Sequence, residues 1–409
     1  MTALQLLLYI VVAIAVQLAV GLTIAFLRWR RARTVSAASI GEARTLPAPA
    51  WPGWRDFRVT RRAPEDASGS QCSFYLQPVD RAPLLAYLPG QFLTFDVPVA
   101  DPSGGSGAVI RCYSLSDKPA ADRYRVTIKR ALPPLSAPNA PPGVASAYFH
   151  DVVREGDVLR VKAPSGQFCL DPDPAIPSVL IAGGVGITPM MSMLLWAAAE
   201  QPGRTMHLYY GVRNSADHAF RKTLEDVAAA NSNFHLTVVY ERPLPGDIEG
   251  RDFHRSGYVD LELLRRTSPA DFRCRYYVCG PPAMMASLVP ALRTAGVPEA
   301  DIHFEAFGPA SLEPAKRGPR SALAKPVDVR FERSKRTLAW DGLDPTLLDF
   351  AERKGIAIES GCRSGSCGSC ETRIVSGTVR NTQVGAYEVA VGHCLPCISE
   401  PASALVLDA

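Results

Sequence analysis

Three cysteines near the end of the chain have the spacing of iron–sulfur ligands. Cys362, Cys367 and Cys370 lie in the stretch CRSGSCGSC, in the pattern C-x4-C-x2-C that is typical of a 2Fe–2S cluster. The glycines and serines between them give the loop little bulk and leave many backbone amides to donate to sulfur. A tetrahedral zinc site is the alternative, but it needs two comparable pairs of ligands, and no histidine lies in this loop. The pattern therefore predicts that these cysteines bind a 2Fe–2S cluster.

A fourth thiolate must come from another part of the sequence, because a 2Fe–2S cluster has four protein ligands. Cys394 and Cys397, in the stretch GHCLPCISEP, are the two candidates, and both distances from the loop are permitted. Of the ten cysteines in the chain, five lie between positions 362 and 397. This clustering favours metal binding in a reducing compartment over a framework of disulfides.

A glycine-rich turn in the middle of the chain could bind the phosphates of a nucleotide. In the stretch IAGGVGITPM, an apolar run turns through Gly183, Gly184 and Gly186 into a predicted helix. Glycines let the backbone approach a pyrophosphate, and the positive end of a helix favours its charge. Thr188 can hydrogen-bond at the same end. A purely structural turn is the alternative, because such turns are common.

A second turn has the same design. The stretch YYVCGPPAMM places Cys279 where an apolar run turns into a predicted helix. If both runs are strands of one parallel sheet, both turns lie at its carboxyl edge, where such sheets bind ligands. Together the two turns predict a nucleotide site. For Cys279 alone, the alternative is a buried structural thiol.

An earlier strand combines a cation, an aromatic ring and hydroxyl groups. In the stretch RCYSLS, Arg111 and Tyr113 share one face by the two-residue period of a strand. A cation for a phosphate beside a ring for stacking is what a flavin nucleotide needs. An exposed cross-strand pair of the two side chains is the alternative.

The elements that must position these groups divide the chain into blocks. Residues 54–173 contain short alternating apolar runs separated by Pro/Gly turns, which predict an antiparallel β-barrel or sandwich. Residues 174–308 alternate strand-like and helix-like runs, which predict a doubly wound parallel sheet. Stretches rich in proline and alanine, at 34–53 and 309–326, are predicted linkers, and 327–409 is a small terminal domain.

The N-terminal residues 1–33 have the pattern of a membrane anchor. Residues 3–27 contain no charged side chain, and at ~1.5 Å per residue a helix of this length would cross a bilayer core of ~30 Å. The stretch RWRRAR follows at once, so the positive-inside rule predicts a single span with the remaining domains in the cytoplasm. A cleaved signal peptide is the alternative, but there is no basic segment before the apolar run. The net charge of +4 is spread along the 409 residues and argues against a nucleic-acid partner.

The flavin motif and the two glycine turns, in this order, resemble the ferredoxin–NAD(P)H reductase family over about residues 54–308. The stretches LPGQF, TIKR, GVASAYFHD, YGVR and EAFG agree with that family as well. The resemblance implies a flavin domain followed by a nicotinamide nucleotide domain. The sequence departs from the family in one place: the loop 131–143 is longer and richer in proline than usual, and it could shape the adenine end of the flavin. FAD is therefore favoured over FMN.

The resemblance also implies roles for individual residues. Those implied to bind the flavin are Arg111 at phosphate, Tyr113 on the isoalloxazine ring, Ser114 near N5, Thr127, Lys129, and Gly143, Val144 and Ser146 at the pyrophosphate. Those implied to bind the nicotinamide nucleotide are Gly184, Thr188 and Cys279, with Tyr210 and Arg213 beside its ribose and adenine. Ser114 and Cys279 are the implied catalytic pair. No basic cluster follows Arg213 to take a 2′-phosphate, which favours NADH while leaving NADPH open.

The terminal domain resembles plant-type ferredoxins, which implies an α+β, β-grasp fold. The family's L-x-C element near the end of that domain matches Leu395 and Cys397. The resemblance therefore implies Cys362, Cys367, Cys370 and Cys397 as the ligands of the 2Fe–2S cluster, with Cys394 as a neighbouring thiol.

The order of the domains resembles that of phthalate dioxygenase reductase. It implies a membrane-anchored reductase that takes electrons from NAD(P)H and delivers them to an oxygenase, hydroxylase, demethylase or desaturase. A respiratory NADH:quinone reductase subunit is one alternative, although its ferredoxin domain comes before its flavin domain. A membrane-tethered redox sensor without turnover is the other.

Overall fold

The computed structural model describes residues 51, 53–84, 86–100, 106–133, 143–267, 273–305, 307, 326–363, 365, 367–382, 387 and 389–409. The run predicted as a membrane anchor lies outside these residues, as does nearly all of the two predicted linkers. Among the helices in the described part of the chain, none is both long enough and apolar enough to cross a membrane.

The first block is an antiparallel sheet that closes on itself. Its strands are β1 (Trp54–Pro64), β2 (Gln71–Pro78), β3 (Phe92–Ala100), β4 (Ser106–Ser114), β5 (Tyr124–Lys129) and β6 (Val158–Ser165). They pair in the order β4-β3-β6-β1-β2-β5, and a bridge between Leu115 and Val126 joins the two edges. A short helix, α1 (Val144–Ala147), continues into a wider helical turn at Tyr148–Val152. Phe149 in that turn packs in the barrel core.

The second block is a parallel sheet with helices on both faces, as the sequence predicts. Its strands are β7 (Ser178–Gly183), β8 (Met206–Val212), β9 (Phe234–Tyr240), β10 (Arg255–Ser256), β11 (Arg275–Cys279) and β12 (Ile302–Glu305). Its helices are α2 (Ile187–Glu200), α3 (Arg221–Ala230), α4 (Leu261–Thr267) and α5 (Pro282–Thr294). Every residue of β7 is buried, because both faces of the sheet are covered.

The strand order of this sheet creates a crevice at a definite place. The order is β10-β9-β8-β7-β11-β12, so the chain moves outward from β7 first in one direction and then in the other. In open sheets of this kind, ligands bind outside the carboxyl ends of the strands where the direction reverses. The reversal lies between β7 and β11, so both turns singled out in the sequence meet there.

The third block, in the part that the structure describes, is a small mixed sheet packed against an α-helix. Its strands are β13 (Val327–Phe331), β14 (Arg336–Trp340), β15 (Thr372–Ser376), β16 (Val379–Asn381), β17 (His393–Cys394), β18 (Ser399–Pro401) and β19 (Leu405–Leu407). Five of them pair in the order β14-β13-β19-β15-β17, while β16 pairs with β18. The helix, α6 (Leu347–Arg353), begins at Thr346, whose hydroxyl caps the amide of Asp349, and it packs Phe350 against the core of the sheet.

Specific contacts hold the three blocks against one another. The β1–β2 turn meets the loop after β8, where the Ser68 amide donates to the Ala216 carbonyl at 2.9 Å. The ion pair between Lys162 and Glu359, at 3.5 Å, joins the flavin barrel to the terminal domain. The three redox regions predicted from the sequence therefore lie side by side.

Candidate redox site

The four predicted cluster ligands come together as two pairs. The backbone amide of Cys362 donates to Sγ of Cys367 at 3.3 Å, and Cys370 and Cys397 pack together in one buried cluster. The described part of the chain has no group of three or more side chains placed to hold a single metal ion. Two pairs of thiols are instead what a two-iron cluster requires, because each iron takes two protein ligands. The sulfurs present therefore fit a 2Fe–2S cluster.

The two candidates for the fourth ligand have different surroundings. Cys397 packs beside Cys370 in a small apolar cluster under the loop. Cys394 lies in β17 and belongs to the main core of the domain, and burial raises the pKa of its thiol to about 12. This arrangement supports the prediction that Cys397, and not Cys394, is the fourth ligand.

Gly368 and Arg363, which both have positive φ, shape the cysteine loop, and the Arg363 side chain is also ion-paired. Gly368 has φ +66°, and a Cβ there would lie 2.2 Å from the ring of Tyr387. Arg363 also has positive φ, at 56°, and its guanidinium bonds to Glu352 and, at 3.4 Å, to Asp349 on α6. The loop is therefore tied to the helix that precedes it.

The predicted flavin residues on β4 have the properties that a flavin nucleotide needs. Arg111 is exposed, donates to the carbonyl of Ile110 at 2.8 Å, and has no acidic partner among the residues the structure describes. Tyr113 packs edge-on against Phe95 and Phe149, with ring centroids 5.8 and 5.2 Å away, and burial raises the pKa of its hydroxyl. A cation open to a phosphate beside a fixed ring fits FAD.

Residues around α1 shape the end of the proline-rich loop. Ser146 accepts from the amide of Ala131 at 3.0 Å and donates to the carbonyl of Gly143 at 2.8 Å. Val144 is exposed, with 52% of its surface accessible, at the start of the helix. The Ser146 hydroxyl therefore closes the base of the loop, and a pyrophosphate would meet the backbone at Gly143 and Val144.

Two predicted flavin residues on β5 differ in what they can offer a ligand. Thr127 is buried, and its hydroxyl hydrogen-bonds to Ser73 at 2.7 Å and to Ser116 at 2.8 Å. Lys129, at the end of the strand, is half-buried. Thr127 therefore stabilises the inside of the barrel, and its hydroxyl is bonded to these two serines rather than directed at the flavin.

The two glycine turns of the nucleotide domain touch each other. A Cβ on Gly186 would lie 2.1 Å from the carbonyl oxygen of Cys279, and a Cβ on Gly280 would lie 3.1 Å from Cα of Gly183. Gly184 has φ +54° with open space around it. The two turns can lie this close only because Gly183, Gly186 and Gly280 carry no side chain.

The other predicted nucleotide residues are placed unequally. Thr188 is buried at the start of α2, and its hydroxyl donates to the carbonyl of Val185 at 3.0 Å. Arg213 is exposed and lies 3.9 Å from Asp217. Tyr210 is fully buried and packs against His218, so its ring has no exposed face for a ribose. Because β8 is covered on both sides, a residue in its middle cannot reach the crevice.

A buried carboxylate joins the two predicted catalytic residues. Ser114 donates to Oε2 of Glu305 at 3.5 Å, and Glu305 lies opposite Cys279 in the β11–β12 register. Burial raises the pKa of Glu305 to about 8, Cys362 adds to this effect, and the Ser114 hydrogen bond opposes it. Cys279 is fully buried, and burial raises its pKa well above the usual value.

The motifs in the sequence assign no role to Glu305. The available signal was its position, because a carboxylate at the carboxyl end of a parallel strand lies at the edge where such sheets bind ligands. At this edge Glu305 can hold a proton beside Ser114.

The cysteine loop lies directly on the flavin strand β4. Sγ of Cys112 and Sγ of Cys367 lie 3.3 and 3.1 Å from the position that a Cβ on Gly361 would occupy. Cys112 and Cys367 therefore lie close together against Gly361. The predicted cluster site therefore touches the residue between Arg111 and Tyr113.

Comparisons with family models agree with this three-part architecture. Residues 62–169 match the oxidoreductase FAD-binding domain, residues 180–289 the oxidoreductase NAD-binding domain, and residues 329–402 the 2Fe-2S iron-sulfur cluster binding domain.

One curated relative and two solved structures show how far the similarity extends. The chain is 41% identical over 262 residues to a flavohemoprotein of Rhizobium meliloti (strain 1021), covering 64% of this chain and 62% of that protein. It is similar to phthalate dioxygenase reductase, described as a modular structure for electron transfer from pyridine nucleotides to [2Fe-2S], with 27% identity, a TM-score of 0.53, and 87% and 98% of the two chains covered. It is also similar to an intact type IV self-sufficient cytochrome P450 monooxygenase, with 25% identity, a TM-score of 0.61, and 87% and 41% covered.

Proposed function

We propose that this chain, an oxidoreductase of the ferredoxin reductase type with FAD-binding, NAD-binding and 2Fe-2S domains, is a membrane-anchored reductase that supplies electrons to an oxygenase-type protein. When bound, FAD accepts two electrons as hydride from the nicotinamide and releases them singly, and the 2Fe–2S cluster carries one electron at a time. The residues of the chain bind and orient these groups.

The contact between the cysteine loop and β4 is the observation that carries this proposal. Cys112 of the flavin strand touches Gly361 and Cys367 of the loop, so the flavin and cluster sites adjoin without any partner protein. Electron transfer between cofactors depends on such closeness, which the protein supplies by orientation. This geometry supports a route from nicotinamide to cluster within one chain.

The surroundings of Arg213 support NADH as the electron donor. Asp217 lies 3.9 Å from the guanidinium of Arg213, and its side chain is only 15% exposed. A carboxylate at this position would repel a 2′-phosphate, whereas a ribose 2′-hydroxyl can hydrogen-bond to it. Ser114, Glu305 and Cys279 would then line the path of the hydride.

The relatives support an oxygenase-type acceptor. The similarity to phthalate dioxygenase reductase covers 98% of that protein. The similarities to this reductase and to the P450 monooxygenase each cover 87% of this chain. The chain spans 62% of the flavohemoprotein that it matches. The N-terminal apolar run and the arginines after it support a location at the membrane, with the redox domains in the cytoplasm.

An anaerobic single-turnover experiment tests the internal route. Purified full-length protein is mixed with one equivalent of NADH, flavin is followed by its visible absorption, and the cluster is followed by electron paramagnetic resonance. We expect loss of oxidised flavin followed by the signal of a reduced 2Fe–2S cluster. A flavin that is reduced while the cluster stays oxidised, even with excess NADH, would contradict the proposal.

The acceptor is tested separately. Proteins captured by the full-length chain from native membranes are assayed for NADH-dependent oxygenation or desaturation. We expect such activity to require both the chain and NADH. If only soluble acceptors are reduced, the membrane part of the proposal is wrong.

A further inference from the structure

Cys112 lies at the junction between the flavin barrel and the cysteine loop. Its sulfur lies 3.3 Å, and that of Cys367 3.1 Å, from the position that a Cβ on Gly361 would occupy, so the two sulfurs lie close together at the same face of the loop. On the other side, the hydroxyl of Thr94 lies 3.5 Å from the Cys112 sulfur. Neither the flavin site nor the predicted ligand set uses this thiol.

A hydrogen bond between these two sulfurs can run in only one direction once Cys367 is a cluster ligand. As a ligand, Cys367 is a thiolate and has no proton to give. Cys112 is not a predicted ligand and, as a thiol, carries one S–H group. The Thr94 hydroxyl can donate to the Cys112 sulfur, and the S–H of Cys112 can then donate to the sulfur of Cys367.

We propose that Cys112 is a positioning residue that donates a hydrogen bond to the sulfur of Cys367 and thereby raises the reduction potential of the cluster. The proposal rests on the proposed function, since it needs Cys367 as a ligand. The reduced cluster carries one more negative charge than the oxidised one, so a donor at its sulfur stabilises the reduced form more. Hydrogen bonds around ligands are an established means of tuning a metal site.

The donor belongs to one domain and the acceptor to another. Cys112 is on β4 of the flavin barrel, whereas Cys367 is in the terminal domain. The hydrogen bond therefore exists only while the cysteine loop lies on β4. In that position the cluster is the better electron acceptor, which favours transfer from flavin to cluster.

Redox titration of the full-length protein, with the cluster followed by electron paramagnetic resonance, tests this. Cys112→Ala and Cys112→Val remove the donor, whereas Cys112→Ser keeps an O–H group. For a charge-assisted hydrogen bond, the ratio of reduced to oxidised cluster should fall about tenfold at a given potential in the alanine and valine variants, a shift of about 59 mV. Cys112→Ser should stay close to the native protein.

Cys72→Ala is the matched control, because it removes a buried thiol from the same barrel, where Cys72 contacts the carbonyl of Ser73 at 3.7 Å. Its cluster potential should equal that of the native protein. Equal potentials in Cys112→Ala, Cys112→Val and the native protein overturn the proposal. A native protein without a titratable 2Fe–2S signal instead overturns the proposed function.

Loss of the cluster from a variant also gives an answer. If the alanine and valine variants lose the cluster and Cys112→Ser retains it, a donor is required at this position, as proposed. If Cys112→Ser loses it as well, Cys112 acts through packing or as a ligand, and the proposal is wrong.

Discussion

At the scale of single residues, Cys394 and Cys397 are close in sequence but lie in different surroundings. Cys397 packs with Cys370 in a small buried cluster, and Cys394 packs in the core of the terminal domain. We predict that serine at Cys397 abolishes the visible absorption of the 2Fe–2S cluster, as it should at each of the three loop cysteines, while flavin is kept. Reduction of ferricyanide by NADH should survive, since flavin reduces that acceptor directly.

Cys394→Ser is the matched variant in this test. It should keep the cluster, because the sulfur of Cys394 packs in the core rather than beside a loop cysteine. If the cluster is lost from Cys394→Ser and kept in Cys397→Ser, then Cys394 is the fourth ligand and Cys397 is the neighbouring thiol.

Arg111 offers a cation that no acidic side chain of the described residues neutralises. Arg111→Ala removes a charge-assisted contact to phosphate, which is worth about 1.5–3 kcal/mol. Since about 1.4 kcal/mol corresponds to a factor of ten, flavin affinity should fall roughly tenfold or more, as measured by titration of the apoprotein. Arg123→Ala, at an exposed arginine 3.9 Å from Asp122, is the control and should bind flavin normally. Unchanged affinity in Arg111→Ala would mean that the arginine does not contact the phosphate.

Cys279 is fully buried at the end of β11, opposite Glu305. We expect Cys279→Ala to slow the reduction of flavin by NADH in stopped flow, while flavin content stays close to native, because the thiol lies where the nicotinamide is predicted to bind. Cys274→Ala is the control, because it removes a buried thiol just before the other end of the same strand. A native rate in Cys279→Ala, or loss of flavin from it, would indicate a packing role.

Residue types and spacing predicted the chemistry of the site well, but they predicted the orientation of its side chains less well. The cysteine pattern and the Arg–Tyr pair on β4 could be read directly, because spacing decides which residues share a loop or a face. The orientation of Thr127 could not, because its partner Ser73 is distant in sequence. That of Tyr210 could not, because its burial against His218 depends on how the core closes around β8. Glu305 was missed for the same reason, since only the fold brings it to Ser114.

At the scale of elements, the turn after β7 can exist only with glycine at one position. A Cβ on Gly186 would lie 2.1 Å from a backbone oxygen of Cys279, and backbone atoms cannot move aside as the end of a side chain can. Gly186→Ala should therefore shift the turn, weaken NADH binding and lower the melting temperature, at a cost of about 1–3 kcal/mol as for other overpacked sites.

Gly203→Ala is the control for this prediction, because a Cβ there would meet nothing within 4 Å. Its melting temperature and its rate of flavin reduction by NADH should be native. A Gly186→Ala protein with native NADH affinity and stability would show that the two turns are not in contact in solution.

The types of the elements followed from the sequence because each has its own period. The short apolar runs of β3 and β5 indicated an antiparallel barrel or sandwich, and the apolar run of β7 followed by a helix-like run indicated a parallel, doubly wound sheet. The closure of the barrel through Leu115 and Val126 was not predictable to the residue, because the register between distant strands leaves no local signal.

At the scale of the whole molecule, the packing of the domains was beyond the sequence. The order of the domains indicated that electrons pass from flavin to cluster, but not that Cys112 touches Cys367 or that Lys162 pairs with Glu359. Such contacts arise from the shapes of two folded surfaces. They explain how the separate domains of one chain can form a continuous route for electrons from the flavin site to the cluster site.

The remaining prediction concerns the N-terminal run. Residues 1–33 contain an uncharged apolar stretch followed by arginines, and a stretch rich in proline and alanine separates it from the flavin barrel. Confinement to a membrane raises the local concentration of a partner in the same membrane, as a linker does for joined modules. A chain shortened to begin at Val35 should therefore be soluble and should oxidise NADH with artificial acceptors at the native rate. With a membrane-bound partner it should lose much of its rate, because it must find that partner from solution. The two proteins are compared at low concentration in membranes that contain the partner; equal rates would mean that the run does not bring the reductase to its acceptor, and a soluble acceptor would then be the better hypothesis.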